Sequence, residues 1–522
     1  MRIAIVRKWL ALALCSASCW AQAATGVAVP EMASYDNEIQ KFMSKWGVPG
    51  AAVAVVRDGR LVFARGYGVA DPASGAPVQP DSLFRIASLS KPITAAAVLR
   101  LVQDGGLSLD LKAFPYLARG AASDSRLNDI TVRHLLEHSG GWDRDIAGDP
   151  MFNLGNIARA MGVASPPDAD TILRWMLTQP LQFNPGARYA YSNFGYLVLG
   201  QVVAKASGQR YEDYVGNLLR QAGITRMKPG ATLAGGRQAG EVTYAMEAGT
   251  PLVNSVFTSA PGAVPWPYGG FAIEPMTAHG GWLASAIDLV AFAAAMDGDG
   301  ARPDLLNATS LAEVARRPAH VAPNASAWYG KGWDTNSVGN WWHTGSLPGT
   351  ASLLVRASNG TKWAVLLNQR SESNSGAFFG ELDNLMWVAF GGVKTWPAGD
   401  QFAALQSSAP VPGCVGTPSF AAGVLCIPVV EVPNGTATPA RYNATLQLTD
   451  AATLSFALTS AVPVTSSEAG VPGFDPASGI VTLPRVLLPD PSGTPKAYRA
   501  RLSLVPGGGT LNFRLLDATL QP

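Results

Sequence analysis

Ser88 and Lys91 lie three residues apart, the first spacing in the chain that could support chemistry. On a helix, side chains three positions apart lie on one face, separated by about one turn. Pro92 is tolerated only near the start of a helix, which places Ser88 around a helix N-terminus. There the helix dipole and free N–H groups favour the negative charge of a developing oxyanion. Lys91 could accept the Ser88 proton if burial lowers its pKa, although the pair alone also fits an exposed helix surface.

The triplet Tyr191-Ser192-Asn193 precedes a helical pattern that starts near Phe194. A tyrosine hydroxyl beside a lysine amine can shuttle protons, which makes Tyr191 a candidate general base and acid. The Asn193 amide can orient an amide group of a substrate. Taken alone, Tyr191 also fits an ordinary position in a protein core.

The third motif is His343-Thr344-Gly345-Ser346. His343 and Thr344 offer an imidazole and a hydroxyl to an anionic group of a substrate. Gly345 has no side chain, so a substrate could lie close to the strand there. The backbone N–H of Ser346 could pair with that of Ser88 as an oxyanion hole. A lone histidine near a turn is otherwise usually structural.

Helical and strand patterns alternate up to about residue 390 and must position these motifs. An amphipathic helix is predicted over 35–46, followed by a β-hairpin that turns at Asp58-Gly59. A second pair of strands turns at Asn359-Gly360, and residues 380–390 form a closing helix. Because helices separate the first hairpin from the last, we expect both hairpins to share one antiparallel sheet.

The pattern changes beyond about residue 400. Residues 396–413 predict a linker, and residues 414–522 alternate apolar and polar side chains as half-buried strands do. At an offset of 56 residues, Gly423, Pro428, Tyr442, Leu446 and Leu448 recur as Gly479, Pro484, Tyr498, Leu502 and Leu504. Two copies are too few for an open solenoid, so we predict a small all-β module with a two-fold internal repeat. A structural appendage and a wall-binding module are both open.

The N-terminal residues have the pattern of an export signal. Basic residues at positions 2, 7 and 8 precede an apolar run over 9–20, and Ala21-Gln22-Ala23 supplies the small-x-small pattern that a signal peptidase needs. The run is roughly half as long as a bilayer-spanning helix, which disfavours the alternative of a membrane anchor. We therefore predict a Sec-type signal peptide over 1–23 and a periplasmic or secreted protein without an integral membrane segment.

The amino-acid composition excludes several other classes of protein. The chain has 522 residues, with 39 Lys and Arg against 37 Asp and Glu, so it offers no broad basic field for nucleic acid. Hydrophobic residues make up 48%, enough to bury a large core and too apolar for disorder. Of four cysteines, Cys414 and Cys426 remain after signal cleavage, and in an oxidising compartment we expect them to form a disulfide.

In this order and spacing, the three motifs resemble the serine β-lactamase and penicillin-binding-protein superfamily, specifically its class C-like branch. That branch includes class C β-lactamases, DD-peptidases, D-aminopeptidases and family VIII esterases. Further matching segments are residues 130–136, 280–289 and 329–333. The resemblance covers residues 35–390 and implies an α/β (α+β) fold, an antiparallel sheet flanked by helices plus an all-helical region. The hydrolase domain is expected to span 24–395, ahead of the all-β module.

The resemblance also implies roles for the motif residues. Ser88 would be the acylated nucleophile, Lys91 its proton acceptor, and Tyr191 the general base and acid, including in deacylation. The substrate-binding residues would be Asn193, His343, Thr344, Gly345 and Ser346. Neither a metal nor a cofactor is implied.

His343 stands where β-lactamases carry a lysine, and its unperturbed pKa of about 6.5 leaves it mostly neutral at neutral pH. This weakens the grip on a β-lactam carboxylate, and we expect charge on His343 to gate anionic substrates below about pH 6.5. The chain is therefore predicted to be an exported peptidase, amidase or esterase acting on a small-molecule, peptide or peptidoglycan-like substrate. The alternatives are a true β-lactamase and a non-catalytic wall-binding protein.

Residues 134–138 fit the His-x-x-Glu-His pattern of a zinc protease. They also match a segment of the resembled family in which a helix ends before Ser139, and we expect no metal here. No serine of the sequence lies in a Gly-x-Ser-x-Gly pattern, so the nucleophile elbow of the α/β-hydrolases is absent.

Overall fold

The structure, a computed structural model, describes residues 24–402, 418–421, 424–432, 440–450, 455–463, 472–489, 495–505 and 512–520. The predicted signal peptide over 1–23 and most of the predicted linker lie outside the described residues. The chain divides into two compact units, one ending at Gly399 and the other beginning at Asp400. Within the described part, no helix is both long and apolar enough to cross a membrane.

The helices of the described residues are α1 (Ala33–Trp46), α2 (Ser90–Gln103), α3 (Ala113–Leu117), α4 (Val132–Leu136), α5 (Arg144–Ala147), α6 (Leu154–Met161), α7 (Ala169–Met176), α8 (Asn193–Ser207), α9 (Tyr211–Gln221), α10 (Ala286–Ala294), α11 (Ala308–Val314) and α12 (Ser375–Gly392). The strands of the first unit are β1 (Gly50–Arg57), β2 (Arg60–Asp71), β3 (Ala76–Pro77), β4 (Phe84–Arg85), β5 (Lys228–Pro229), β6 (Val253–Asn254), β7 (Ala263–Val264), β8 (Trp282–Ala284), β9 (Ala327–Tyr329), β10 (Asp334–Asn336), β11 (Trp341–Leu347), β12 (Thr350–Arg356) and β13 (Thr361–Leu367). Those of the second unit are β14 (Ser419–Ala421), β15 (Val424–Val432), β16 (Ala440–Asp450), β17 (Ser455–Pro463), β18 (Gly473–Asp475), β19 (Ile480–Pro489), β20 (Pro495–Val505) and β21 (Asn512–Leu520).

The central sheet of the first unit has the strand order β3-β2-β1-β13-β12-β11-β10-β9 and is antiparallel between neighbours. The first hairpin, β1–β2, and the last, β12–β13, lie side by side, with Ala51 opposite Leu367. The expectation that both hairpins share one antiparallel sheet is confirmed. On the far side of β12, β11 carries the His343 motif.

Helices cover both faces of this sheet, which explains why β1 and β13 are buried along almost their whole length. On one face α1 packs against α12, and Tyr35, Val55 and Leu382 belong to the core between them and the sheet. On the other face α10 packs against β1, β12 and β13. The predicted α/β (α+β) class, an antiparallel sheet with flanking helices, is confirmed.

Two buried helices, α2 and α8, pack against each other inside the helical region. Both are apolar on nearly every side, because α3, α4 and α9 pack around α8 and α11 packs on α2. The Ser-Lys motif spans the 3₁₀ turn before α2 and the first turn of α2, and the Tyr-Ser-Asn motif ends at Asn193, the first residue of α8. The packing of α2 on α8 therefore brings two distant parts of the sequence together.

The second unit is a curled antiparallel sheet with the order β14-β15-β16-β17-β21-β20-β19-β18, in which parallel contacts join β14 to β19 and β15 to β18. Of the repeated residues, Pro428 and Pro484 lie on β15 and β19. The repeated Tyr442, Leu446 and Leu448 lie on β16, and their equivalents Tyr498, Leu502 and Leu504 lie on β20. Each half bends at the same place, between Ile427 and Val430 and between Leu483 and Val486. The repeated prolines, Pro428 and Pro484, lie in these bulges, where a missing N–H costs no ladder hydrogen bond.

Candidate active site

Ser88 lies in a single 3₁₀ turn, Ala87–Leu89, that leads directly into α2. Ala87 has a φ of 48°, a left-handed conformation that costs a non-glycine residue about 1–3 kcal/mol. Two hydrogen bonds of 2.8 Å hold the turn, from Ser90 Oγ to the Ala87 carbonyl and from Ser352 Oγ to the Ile86 carbonyl. The strained turn presents Ser88 to a cavity.

The Ser88 hydroxyl lies between two groups that can carry its proton. Its Oγ is 3.0 Å from Lys91 Nζ and 2.9 Å from the Tyr191 hydroxyl. Although 103 positions separate Ser88 from Tyr191, the structure brings the three predicted catalytic side chains into direct contact.

Lys91 is fully buried, and all three hydrogen-bond partners of its Nζ are neutral. Besides Ser88, they are Asn193 Oδ1 at 2.8 Å and the His279 carbonyl at 3.0 Å. Burial holds the pKa of Lys91 well below its usual range; Asp149 opposes this shift and Arg144 adds to it. Once the amine is neutral, the two carbonyl oxygens take its two N–H groups, and its lone pair is left for the Ser88 hydroxyl proton. The geometry therefore equips Lys91 to act as a base.

Tyr191 is half-buried beside this amine and keeps its proton at rest. Burial raises the pKa of its hydroxyl above the usual range, and the hydrogen bond to Ser88 opposes that shift. The His138 ring lies 4.3 Å from the Tyr191 ring between centroids, and the Arg144 guanidinium lies 4.6 Å from its centre. A phenol in this state donates to Ser88 Oγ, so the resting site pairs a proton acceptor, Lys91, with a proton donor.

Asn193 is held at both ends of its amide. Its Oδ1 accepts from Lys91, and its Nδ2 donates to Asp149 Oδ2 at 2.6 Å. Since a carboxylate only accepts hydrogen bonds, Asp149 fixes which end of the amide faces the lysine. The sequence analysis missed Asp149. Its only local signal is the start of a 3₁₀ turn, where Asp149 Oδ1 accepts from the Met151 N–H at 3.0 Å.

His343 is buried and electrically neutral. Its Nδ1 lies 2.6 Å from the Thr344 carbonyl, which can only accept, so the proton is on Nδ1 and Nε2 accepts from the Tyr329 hydroxyl at 3.1 Å. Burial, with a contribution from the charge on Lys91, lowers the pKa of His343 to about 3. The expectation that His343 gates anionic substrates near pH 6.5 is therefore wrong, because the imidazole does not gain a proton in that range.

The other three residues of the β11 motif differ in whether they line the cavity. Thr344 and Ser346 line the cavity, and Ser346 Oγ accepts from Arg370 Nη1 at 2.9 Å. Gly345 does not line it: a Cβ at this position would overlap Ser352 Oγ and the Ile86 carbonyl. The assignment of Gly345 to substrate binding stays a prediction; in the structure this glycine lets β11 lie against the turn that carries Ser88.

The cavity has a volume of about 800 Å³. The predicted site residues that line it are Ser88, Tyr191, Asn193, His343, Thr344 and Ser346. It also receives side chains that the sequence analysis did not single out, among them Arg144, Arg188, Tyr189, His279, Asp334 and Arg370. These come from several separate segments, and no local spacing pattern links them to the three motifs.

The zinc-like pattern over 134–138 is explained by other contacts. Glu137 is buried in an ion pair with Lys331, Nζ to Oε1 2.9 Å, and His138 Nδ1 accepts from the Ser192 N–H at 3.1 Å. Among the described residues, no group of three or more His, Cys, Asp or Glu side chains is arranged to hold a metal. Cys426 is disulfide-bonded, and its predicted partner, Cys414, lies outside the described residues.

Comparison with known proteins places this geometry in context. A family model described as Beta-lactamase matches residues 35–379. Esterase EstB of Burkholderia gladioli is 38% identical over 177 residues, which are 33% of this chain and 44% of EstB. The chain thus matches less than half the length of this curated relative.

Solved structures share the fold at low identity. The D-amino acid amidase from Ochrobactrum anthropi SV3 is 23% identical, with a TM-score of 0.53 over 68% of this chain and 99% of the amidase. An octameric penicillin-binding protein homologue from Pyrococcus abyssi is 18% identical, with a TM-score of 0.52 over 92% of this chain and 99% of the homologue. At these identities the likeness concerns the fold alone.

Proposed function

Because the chain belongs to the beta-lactamase family, we propose that it is a serine hydrolase that cleaves an ester or amide bond through an acyl-enzyme on Ser88. The observation that carries this proposal is the position of Ser88 Oγ, 3.0 Å from the buried Lys91 amine and 2.9 Å from the Tyr191 hydroxyl.

In the proposed acylation, Ser88 Oγ attacks the substrate carbonyl carbon while its proton passes to the lone pair of Lys91. The backbone N–H groups of Ser88 and Ser346 are the proposed oxyanion hole. The C–O or C–N bond then breaks, Tyr191 gives its proton to the leaving group, and Lys91 returns a proton to the phenolate. In deacylation the same relay runs backwards: water attacks the acyl carbon, its proton enters the relay, and Ser88 leaves as the alcohol.

The proposed substrates are carboxylic esters and amides rather than β-lactams. The neutral His343 provides no fixed positive charge for the carboxylate of a β-lactam. The esterase name of a relative and the D-amino acid amidase name of a fold neighbour support the two substrate classes.

We also propose that the protein is exported, with residues 1–23 as its signal peptide. The basic start, the apolar run and the small-x-small site support this, as does the disulfide at Cys426, since disulfides persist in oxidising compartments. N-terminal sequencing of the protein from a periplasmic fraction would check the cleavage site.

The test of the catalytic proposal is turnover of a p-nitrophenyl ester by Ser88→Ala, Lys91→Ala and Tyr191→Phe. We expect Ser88→Ala to lower kcat/KM on the order of 10⁴-fold or more, because no other group can form the acyl-enzyme. The matched control is Ser358→Ala, in an exposed turn, which should leave turnover unchanged. Unchanged turnover in Ser88→Ala would refute the proposal, because a group other than Ser88 would then carry the reaction.

The substrate class follows from intact-protein mass after brief exposure to benzylpenicillin, with the remaining drug assayed in parallel. A lasting adduct on Ser88 would favour a peptidase of peptidoglycan stems. Consumption of the drug without an adduct would identify a β-lactamase and contradict the proposed substrates. Persistence of the drug without an adduct is the expected result for an esterase or an amidase of other substrates.

A further inference from the structure

Asp334, the first residue of β10, carries a half-buried carboxylate and lines the same cavity as Ser88. Among the described residues, no side chain or backbone N–H donates a hydrogen bond to this carboxylate, and no Lys, Arg or His forms an ion pair with it. Burial alone raises the pKa of Asp334 to about 7. A carboxylate in this position gains most from a cation that arrives with a ligand.

The other charged side chains that line the cavity are either ion-paired or exposed to solvent. Arg188 Nη2 is paired with Asp143 Oδ2 at 2.7 Å, and Arg370 Nη2 with Glu372 Oε2 at 2.6 Å. Asp145 is solvent-exposed, so water satisfies its charge. Of the carboxylates that line the cavity in the described structure, Asp334 is therefore the one that is both half-buried and without an ion-pair partner.

Arg144, the remaining cation at the cavity, does not form an ion pair with Asp334. Its guanidinium stacks over the Tyr191 ring at 4.6 Å, and it does not contribute to the pKa shift of Asp334. A positively charged ligand at Asp334 would therefore meet no cation already bound there.

Two tyrosines lie near Asp334: Tyr329 is its partner across the β9–β10 pair, and Tyr189 lines the same cavity. Tyr189 and Tyr329 have ring centroids 5.9 Å apart. Burial raises the pKa of both hydroxyls, and the negative charge of Asp334 contributes to both shifts, so the rings lie within its electrostatic reach. Aromatic faces beside a carboxylate are a setting that binds ammonium groups, through cation–π attraction and an ion pair.

We propose that Asp334, flanked by Tyr189 and Tyr329, binds a protonated amine of the substrate, so that the preferred substrates are esters or amides that carry an ammonium group. This inference rests on the proposed function, because it names the substrate class of the same site. The ion pair would form away from the reacting bond and would orient the substrate against Ser88.

The experiment compares two matched series of substrates. The first is a series of p-nitrophenyl esters of ω-amino acids of increasing chain length, each against the ester in which a methyl group replaces the ammonium. The second is a series of acetate esters of ω-amino alcohols against the matching alkyl acetates, followed by acetate release. For at least one chain length we expect the wild-type protein to prefer the cationic substrate by about tenfold or more in kcat/KM.

Asp334→Asn keeps the shape of the side chain and removes its charge. It should abolish the preference while changing turnover of the neutral esters by less than about threefold, which also reports that the variant is folded. The matched control is Asp145→Asn, an exposed carboxylate of the same cavity, which should keep the preference.

Two results would overturn the assignment of Asp334. One is the absence of a cationic preference at every chain length of both series in the wild-type protein. The other is an equal loss for cationic and neutral substrates in Asp334→Asn, which would mean a structural role. Either failure leaves the proposed function standing if Ser88→Ala still abolishes turnover of the neutral esters, whereas full activity of Ser88→Ala would refute the proposed function itself.

Discussion

At Lys91, the acid–base chemistry of the site follows from which atoms surround one buried nitrogen. The Asn193 amide oxygen and the His279 carbonyl can only accept, so they hold the two N–H groups of a neutral amine. The remaining lone pair meets the Ser88 hydroxyl. The sequence predicts both basic and acidic roles for Tyr191, and its protonated phenol is suited to donate first.

The atoms that surround His343 likewise predict the protonation state of its imidazole. We expect its imidazole to stay neutral, with the proton on Nδ1, between about pH 5 and pH 8, because burial lowers its pKa to about 3. Since the shift is downwards, protonation begins only as the pH falls towards that value. The measurement is ¹⁵N NMR of histidine-labelled protein, with the His343 signal assigned by its loss in His343→Gln. The unfolded protein is the control and should titrate at about 6.5; a folded-state titration near that value would contradict the assignment.

At the scale of elements, the position of Ser88, the proposed nucleophile, depends on how closely β11 approaches the turn before α2. Ser352 Oγ on β12 bonds to the Ile86 carbonyl, and Gly345 on β11 leaves room for that carbonyl. The left-handed Ala87 is thus held by a neighbouring strand pair as well as by the local hydrogen bond from Ser90.

Gly345→Ala should therefore displace the turn. We expect a loss of about 1–3 kcal/mol in the free energy of unfolding and a fall of about tenfold or more in kcat, because the new methyl group overlaps Ser352 and Ile86. Thermal unfolding and p-nitrophenyl ester turnover measure the two effects. Gly380→Ala in α12 is the control: its Cβ would meet nothing within 4 Å, so stability should be unchanged or slightly higher. Full activity and stability in Gly345→Ala would refute this role.

At the scale of the whole molecule, each unit has its own hydrophobic core. The core between α1, α12 and the central sheet belongs to the first unit, and residues such as Leu446, Leu483 and Phe513 form that of the second. The residues proposed for catalysis all lie in the first unit. Units that bury separate cores can each fold alone.

A chain that ends at Gly399 should therefore keep small-ester activity. We expect kcat/KM for a p-nitrophenyl ester to remain within about threefold of the full-length value, because the missing unit contributes no residue to the proposed chemistry. Ester turnover by the purified shortened protein is the measurement, with Ser88→Ala in the same background as the control. A loss of more than about tenfold in a folded protein would show that the second unit takes part in turnover.

Local pattern was enough to predict the hairpins, the C-terminal end of α1 and the all-β character of the second unit. Turns at Asp58-Gly59 and Asn359-Gly360, the stop at Gly47 and period-two alternation are short-range properties that a single sequence displays. The three motifs were visible for the same reason, since each lies within four consecutive residues.

The sequence by itself determined which side chains can react and which short elements carry them. The tertiary structure decided the protonation states of these side chains and the contacts between them. The contact between Ser88 and Tyr191, the orienting carboxylate of Asp149 and the neutral His343 depend on packing between segments far apart in the chain. The close approach of Gly345 to the turn that carries Ser88 depends on the same kind of packing. Proton affinity and steric room are set by the atoms that surround a group in space, and sequence spacing does not report those neighbours.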